Sequence, residues 1–258
     1  MLDKKKIILN RLRALRSKNE KVNLFLYKLS IEALQRLEIN LNGNFNILEI
    51  LPKNNAFLEV LKKKNIQNNL VQTFFSNEFK QKNDGLVIHD STLSKIKNEK
   101  FDYSVSFFPY FAKDDLILNM KSIHRVLKKN GKFLYIFFSP DSCSKLKNIF
   151  FNIFENNFQN MFMPKPNILL LGNLASSIGY KDIVVDKSNY YITSKSAKDI
   201  WKFLRDIGES NYLQTRNINI VSKYNYHKLC DSIELSLKEN SNITNEVWIN
   251  YVIGTKKT

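Results

Sequence analysis

Cysteine and histidine are scarce in this sequence, and their arrangement excludes several kinds of site. The two cysteines, Cys143 and Cys230, stand far apart, with no CxxC pair and no cluster of histidines near either one. This pattern argues against a structural zinc site and against a disulfide framework. Free thiols are typical of a reducing compartment, so we expect a cytoplasmic protein.

Long apolar runs are also missing. The longest, at residues 133–138 and 168–171, are far shorter than the roughly 20 residues that a membrane-spanning helix needs. We therefore expect no membrane span. The basic opening, "MLDKKKIILNRLRALRSK", continues into a helical pattern and has no cleavage site of the secretory type, which predicts that it is part of the mature protein.

Negative charge is the third feature in short supply. The chain carries 40 basic and 24 acidic residues, a formal net charge of +16. Basic clusters can neutralise phosphates. Here, however, the lysines are spread along the whole chain among many asparagines, as on solvated faces. We interpret the charge as compositional rather than as a nucleic-acid site, and it is compatible with an acidic protein partner.

What the sequence does have is an alternation of helical and strand patterns. At 258 residues with 43% hydrophobic content, it can bury the core of one large domain. Continuous apolar runs predict strands at residues 46–51, 69–75, 86–88, 102–107 and 132–138. Between the last two, "DDLILNMKSIHRVLKKNG" predicts a helix that ends at Asn130-Gly131. Such alternation predicts an α/β fold with a mostly parallel, doubly wound sheet.

The C-terminal third has a different pattern. Residues 139–171 are rich in Phe, Asn and Met and contain three prolines, which predicts a helical insertion. "YKDIVVD" and "SNYYITSKS" are two strand candidates, and "NEVWINYVIGTKK" predicts a late antiparallel strand. We divide the chain into an N-terminal helical segment, residues 1–40, and one domain, residues 41–258.

Three stretches resemble a known family. "NRLRALRSKNEKVNLFLYKLSIEALQRL" is similar to its arginine-rich opening, and "KFDYSVSFFPYFAKDDLILNMKSIHRVLKKNGKFLYIFF" to its fourth strand, helix and fifth strand. "SAKDIWKFLRDIGESNYL" is similar to a C-terminal signature in which a Leu-Arg pair leads to Gly-Glu-Ser-Asn. The chain resembles the class I S-adenosylmethionine-dependent methyltransferases, in the branch of malonyl-carrier-protein O-methyltransferases and related complex I assembly factors.

The resemblance implies a Rossmann-like fold, S-adenosylmethionine as cofactor, and a protein or acyl carrier protein as partner. It places Glu49 at the acidic end of strand one, and Leu51, Lys53 and Asn55 at three positions that are glycine in the family. Phe74 occupies the place of the ribose-binding acid. The candidate cofactor contacts are completed by Asp90, which matches the adenine-contacting aspartate, and Ser106.

These substitutions predict weak or absent S-adenosylmethionine binding. Side chains replace the glycines that let backbone N–H groups approach the cofactor, and Pro52 lacks an N–H altogether. The aromatic ring of Phe74 cannot accept hydrogen bonds from the ribose hydroxyls. Structural alternatives stay open for the two acids: Glu49 as a partly buried carboxylate that accepts a backbone N–H, and Asp90 as a cap of the following segment "STLSKIK".

Three functions are compatible with the sequence, which identifies no catalytic residue. The chain is a methyltransferase with altered cofactor binding, an enzyme of the same fold with other chemistry, or a non-catalytic assembly protein. For the second, the assembly-factor branch implies hydroxylation of arginine. Modification of a base amine is disfavoured, because Phe107 stands in "FFPY" where nucleic-acid amino-methyltransferases carry a polar residue. Nucleic acid is therefore an unlikely partner.

Overall fold

The computed structural model describes residues 3–39, 43–74, 86–88, 92–109, 113–154, 162–163, 165–216, 221–239 and 242–257. Its helices are α1 (Lys4–Leu15), α2 (Glu20–Leu37), α3 (Ala56–Lys63), α4 (Lys113–Val126), α5 (Ser144–Phe154), α6 (Ile168–Ile178), α7 (Ala197–Asp206) and α8 (Lys223–Leu237). Its strands are β1 (Asn44–Ile50), β2 (Gln67–Phe74), β3 (Leu86–Ile88), β4 (Phe101–Phe107), β5 (Leu127–Phe138), β6 (Tyr180–Ser194), β7 (Lys238–Glu239) and β8 (Asn242–Lys256).

The strands form one sheet in the order β3-β2-β1-β4-β5-β8-β6, with β7 paired to β8. The pairs β1–β2, β1–β4, β2–β3 and β4–β5 are parallel. Strand β8 runs antiparallel to both β5 and β6. The predicted α/β fold, mostly parallel and doubly wound with a late antiparallel strand, is confirmed, and all five predicted N-terminal strands lie in this sheet.

Helices cover both faces of the sheet, which explains the continuous apolar run in β1. Ile47 packs in a cluster with Val60 of α3 on one face, whereas Leu48 packs with Met120 of α4 on the other. Each of these side chains is fully buried. A strand that is covered on both faces needs apolar residues at successive positions, as the sequence predicts.

Two predicted boundaries were wrong. The helix that was expected to end at Asn130-Gly131 ends at Val126, because Leu127 already pairs with Phe101 as the start of β5. The two strand candidates near residue 187 are one strand, β6. Strand β8 is 15 residues long and offers a pairing partner along nearly all of β6, with one register shift between Lys181 and Val184.

The N-terminal helices are fixed at their starts by side-chain caps. The Asp3 carboxylate accepts from the Lys6 backbone N–H at 3.0 Å, and the Asn19 side chain accepts from that of Lys21 at 3.2 Å. Such caps satisfy backbone donors that have no partner within the helix. Helix α1 packs against α7. The division of the chain at residue 40 stays a prediction.

Cys143 and Cys230 are free thiols, as the sequence predicts. Among the helices that the structure describes, none combines the length and the apolar character that crossing a membrane requires.

Candidate functional site

The candidate site lies at the carboxyl ends of β1 and β4, where ligands of open α/β sheets bind. Strand β1 ends at Ile50, and the turn of residues 51–55 leads directly into α3. Ser106, near the end of β4, donates from Oγ to the carbonyl oxygen of Ile50 at 3.3 Å. This bond joins the ends of the two strands beside the turn.

Leu51, at the first position where the resemblance expects glycine, has a left-handed backbone. Its φ is 50°, a conformation that favours glycine. The Leu51 side chain is buried, with only 5% of its surface exposed. The Leu51 backbone N–H points to Thr73 and donates to that residue's carbonyl and hydroxyl oxygens, each at 3.2 Å. The donor of Leu51 is therefore used within the protein, and its side chain fills space beside the turn.

Lys53, at the second such position, is buried in an ion pair. Its side chain is 1% exposed, and its Nζ donates to Glu209 Oε1 at 2.7 Å and to the Gly208 carbonyl oxygen at 3.3 Å. The other carboxylate oxygen of Glu209 accepts from Lys165 Nζ at 2.6 Å. Glu209 thus links the turn to the segment that follows α7.

Burial and the neighbouring charges shift the pKa values of Lys53 and Glu209. Burial lowers the pKa of Lys53 well below its ordinary value, and the nearby positive charge of Arg11 lowers it further. Burial alone would raise the pKa of Glu209, but the charges of Lys165 and Lys53 outweigh it and lower that pKa. Glu209 is therefore ionised at neutral pH, and its one carboxylate pairs with both the buried Lys53 and the half-buried Lys165.

A second contact closes the same edge from α1. The buried guanidinium of Arg11 donates from Nη2 to the Phe108 carbonyl oxygen at 2.8 Å and from Nη1 to that of Phe107 at 3.3 Å. Asn10 donates to the Ser210 carbonyl oxygen at 2.9 Å and accepts from the Ser210 hydroxyl at 2.8 Å. Helix α1 therefore holds both the end of β4 and the segment after α7.

We call residues 208–211, Gly-Glu-Ser-Asn, the GESN segment. Gly208 has a φ of 74°, and a Cβ atom there would lie 2.6 Å from the Asn10 carbonyl oxygen. Only glycine satisfies both the conformation and this close approach to α1. The signature that the sequence analysis singled out is therefore the segment that packs over the β1–α3 turn.

Glu49 is the acid that the resemblance places at the end of strand one. It is 1% exposed and accepts from Gln72 Nε2 at 2.7 Å. The structural alternative of a backbone N–H donor is thus replaced by a side-chain donor from β2. Burial raises the pKa of Glu49 to about 7, although the hydrogen bond from Gln72 and the charge of Arg11 act in the opposite direction.

This shift makes the stability pH-dependent. A carboxyl whose pKa is raised on folding, here from 4.5 to about 7, stabilises the fold below its unfolded-state pKa and loses that contribution as pH rises through the folded-state value. We expect Glu49→Gln to remove this dependence, so that wild type loses about 3 kcal/mol relative to the variant between about pH 4 and pH 8.

Urea unfolding at the two pH values measures this difference. Glu59→Gln is the matched control, because Glu59 is an exposed carboxylate on α3. A constant difference between wild type and Glu49→Gln at both pH values would show that Glu49 does not titrate in this range.

The other candidate cofactor positions are Phe74, Asn55, Asp90 and Ser106. Phe74 is 7% exposed at the end of β2, where it pairs with Ile88 of β3. Asn55 precedes the first residue of α3. Asp90 lies outside the described residues. A cofactor role for these residues, and for Ser106, stays a prediction.

A cavity opens beside this cluster, beyond the carboxyl end of β5. It has a volume of about 240 Å³ and is bounded by the loop after β5, helices α5 and α7, and the GESN segment. The insertion and the signature that the sequence analysis marked thus meet around one cavity, which we call the β5 cavity. Within the described residues, no group of His, Cys, Asp and Glu side chains is arranged to hold a metal ion.

No family model matches the chain. The malonyl-[acyl-carrier protein] O-methyltransferase of Gallionella capsiferriformans is 24% identical over 121 residues, which are 47% of this chain and 41% of the relative. Malonyl-[acyl-carrier protein] O-methyltransferase 1 of Coxiella burnetii is 22% identical over 173 residues, which are 66% of this chain and 60% of the relative. The chain spans less than two thirds of either curated relative.

Solved structures show the same fold at low identity. A candidate methyltransferase of Bacillus halodurans superposes with a TM-score of 0.58 at 11% identity, over 89% of this chain and 99% of that protein. Phosphoethanolamine N-methyltransferase 2 of Haemonchus contortus, solved in complex with S-adenosyl-L-methionine, gives a TM-score of 0.51 at 16% identity, over 90% of this chain and 53% of that protein. The chain therefore has the Rossmann-like fold of the class I S-adenosylmethionine-dependent methyltransferase superfamily, with malonyl-carrier-protein O-methyltransferases among its sequence relatives.

Proposed function

We propose that this chain is a methyltransferase-family protein with weakened S-adenosylmethionine binding, and that it acts on a substrate carried by a protein, in particular an acyl carrier protein. The buried ion pair that joins Lys53 of the β1–α3 turn to Glu209 of the GESN segment, at 2.7 Å, is the observation that carries the proposal. A cofactor that enters this turn has to displace or rearrange the pair. The curated relatives, both named for malonyl-[acyl-carrier protein], support the substrate class.

Weakened binding follows from the cost of opening the turn. Breaking one partner away from a buried ion pair costs about 3–5 kcal/mol, because it leaves a charge without compensation. S-adenosylmethionine binding has to supply that free energy before it contributes affinity. The Leu51 side chain and the Arg11 guanidinium lie in the same buried edge and increase the amount of rearrangement that is needed.

Methyl transfer itself makes modest demands on the protein. Transfer from a sulfonium requires mainly an in-line approach and a correctly placed acceptor. Glu209, which binds Lys53 of the turn, also lines the β5 cavity. Catalysis with an altered cofactor site therefore needs no additional general base.

The test is a methyl-transfer assay with malonyl-loaded acyl carrier protein and methyl-labelled S-adenosylmethionine. We expect no label on the carrier at a cofactor concentration of about 10 μM and measurable transfer only near about 1 mM, because the lost affinity corresponds to about two orders of magnitude or more. Carrier protein without the malonyl group is the matched control. Full-rate transfer at the lower concentration would establish an enzyme with an altered but competent cofactor site.

A non-catalytic assembly protein is the second candidate. The observation that favours it is the GESN segment, which resembles the assembly-factor signature and is held against α1 by the paired bonds of Asn10 with Ser210. This candidate predicts no methyl transfer at any cofactor concentration, together with retained binding to a protein partner. Hydroxylation by an enzyme of the same fold stays a hypothesis from the resemblance.

A further inference from the structure

The β5 cavity has a mostly apolar wall. Its apolar lining residues are Phe138, Phe150, Phe162, Met163, Trp201 and Leu204. Two of these rings pack edge-to-face against Phe150, whose ring centre lies 4.8 Å from that of Trp201 and 5.0 Å from that of Phe162. Packed aromatic rings form a firm wall at low entropic cost. The cavity is therefore shaped for an apolar body.

Its size limits the ligand to a small one. A cavity of about 240 Å³ lies just below the roughly 300–1,000 Å³ of typical small-molecule sites. The indole nitrogen of Trp201 is buried and has no hydrogen-bond acceptor in the part of the chain that the structure describes. A lining residue thus retains an unused donor.

Charge is distributed unevenly over the remaining lining. The charged lining residues are Lys147, Lys165, Arg205 and one carboxylate, that of Glu209. Arg205 pairs at 3.6 Å with Asp206, which does not line the cavity. Glu209 already compensates Lys165 and Lys53, at 2.6 Å and 2.7 Å. Lys147 donates to the Pro140 carbonyl oxygen at 2.6 Å and forms no ion pair with any described carboxylate, since the nearby Asp141 pairs with Lys187 at 2.5 Å. Positive charge therefore exceeds negative charge around an apolar cavity.

We infer that the β5 cavity binds an amphipathic anion, namely a medium-chain aliphatic carboxylate whose chain lies against the aromatic wall and whose carboxylate pairs with Lys147. An apolar body alone would leave Lys147 without a direct ion-pair partner, and a small inorganic anion would leave the aromatic wall exposed to water. One ligand that combines both properties satisfies both parts of the lining. The inference goes beyond the proposed function, because it requires no S-adenosylmethionine.

Trp201 allows a direct test. The chain has two tryptophans, and Trp248→Phe leaves Trp201 as the single fluorescent reporter. The replaced ring lies outside the cavity, at 4.4 Å from Lys187 Nζ. We expect 8-bromooctanoate to quench Trp201 through its bromine, and to bind about tenfold more tightly than 8-bromooctan-1-ol, its neutral analogue. This comparison uses one protein and depends on no charge variant.

Lys147→Met then tests the carboxylate contact, with Lys145→Met as the matched control because Lys145 is exposed on the same helix. We expect Lys147→Met to weaken 8-bromooctanoate binding about tenfold and to leave the alcohol unchanged. Equal binding of acid and alcohol, equal effects of the two variants, or absence of quenching would each overturn the inference. Because these titrations contain no S-adenosylmethionine, their failure is distinguishable from failure of methyl transfer.

Discussion

Glu209→Gln should destabilise the fold by about 3–5 kcal/mol, because it leaves the buried Lys53 and the half-buried Lys165 without a compensating charge. Glutamine keeps the size of the side chain, so the loss measures charge rather than packing. Both lysines contact Glu209 within 2.7 Å, and the Glu209 side chain is 5% exposed. Urea unfolding at neutral pH gives the free energy directly, with Glu59→Gln as the exposed control.

A second variant separates the ion pair from a general effect of the substitution. Adding Lys53→Met to Glu209→Gln removes one of the two unpaired charges and places an apolar chain of similar length in the buried site. We expect the double variant to recover part of the lost free energy of unfolding, because the effects of substituting two interacting residues are not additive. Equal or greater destabilisation of the double variant, or a loss below about 1 kcal/mol in Glu209→Gln, would contradict this account of the pair.

Restoring glycine in the β1–α3 turn should raise S-adenosylmethionine affinity. The triple variant Leu51→Gly, Lys53→Gly and Asn55→Gly removes three side chains and relieves the left-handed backbone at Leu51, whose φ is 50°. Adding Phe74→Asp supplies an acceptor for the ribose hydroxyls. If the contributions add, the gain reaches about a thousandfold, or about 4 kcal/mol.

Alanine provides the matched control for this prediction. The corresponding triple alanine variant also removes bulk, but it keeps a Cβ atom at each position and leaves the positive φ unfavourable for its residue. We expect isothermal titration to give a clear gain for the glycine variant and a smaller one for the alanine variant. Equal gains would mean that bulk alone, and not close backbone approach, limits the cofactor.

Much of the fold follows from the local pattern of apolar and polar residues in the sequence. The apolar run of β1 predicts a strand covered on both faces, and Ile47 and Leu48 pack in separate clusters on the two faces. The end of α4 was misplaced because the pairing of Leu127 with Phe101 decides it, and that contact joins residues distant in sequence. Asn130-Gly131 resembles a helix stop but lies within β5, where Asn130 adopts a φ of 63°.

The site was predictable only in part, for the same reason. The sequence places Lys53 in the turn, but its partner Glu209 lies 156 residues further along the chain. Arg11 belongs to the arginine-rich opening, and nothing in its local pattern indicates that it binds the carbonyl oxygens of Phe107 and Phe108. Sequence resemblance therefore identified the arginine-rich opening and the GESN segment. That the two segments lie together over the β1–α3 turn depends on tertiary packing.

The central claim is that the buried Lys53–Glu209 pair and its neighbours weaken the cofactor site, and equilibrium binding of S-adenosylmethionine to the unmodified chain tests it most directly. Isothermal titration at neutral pH should give a Kd no tighter than about 1 mM, or no detectable heat, which corresponds to a binding free energy of about −4 kcal/mol at most. A Kd in the low micromolar range, near −8 kcal/mol, would contradict the account.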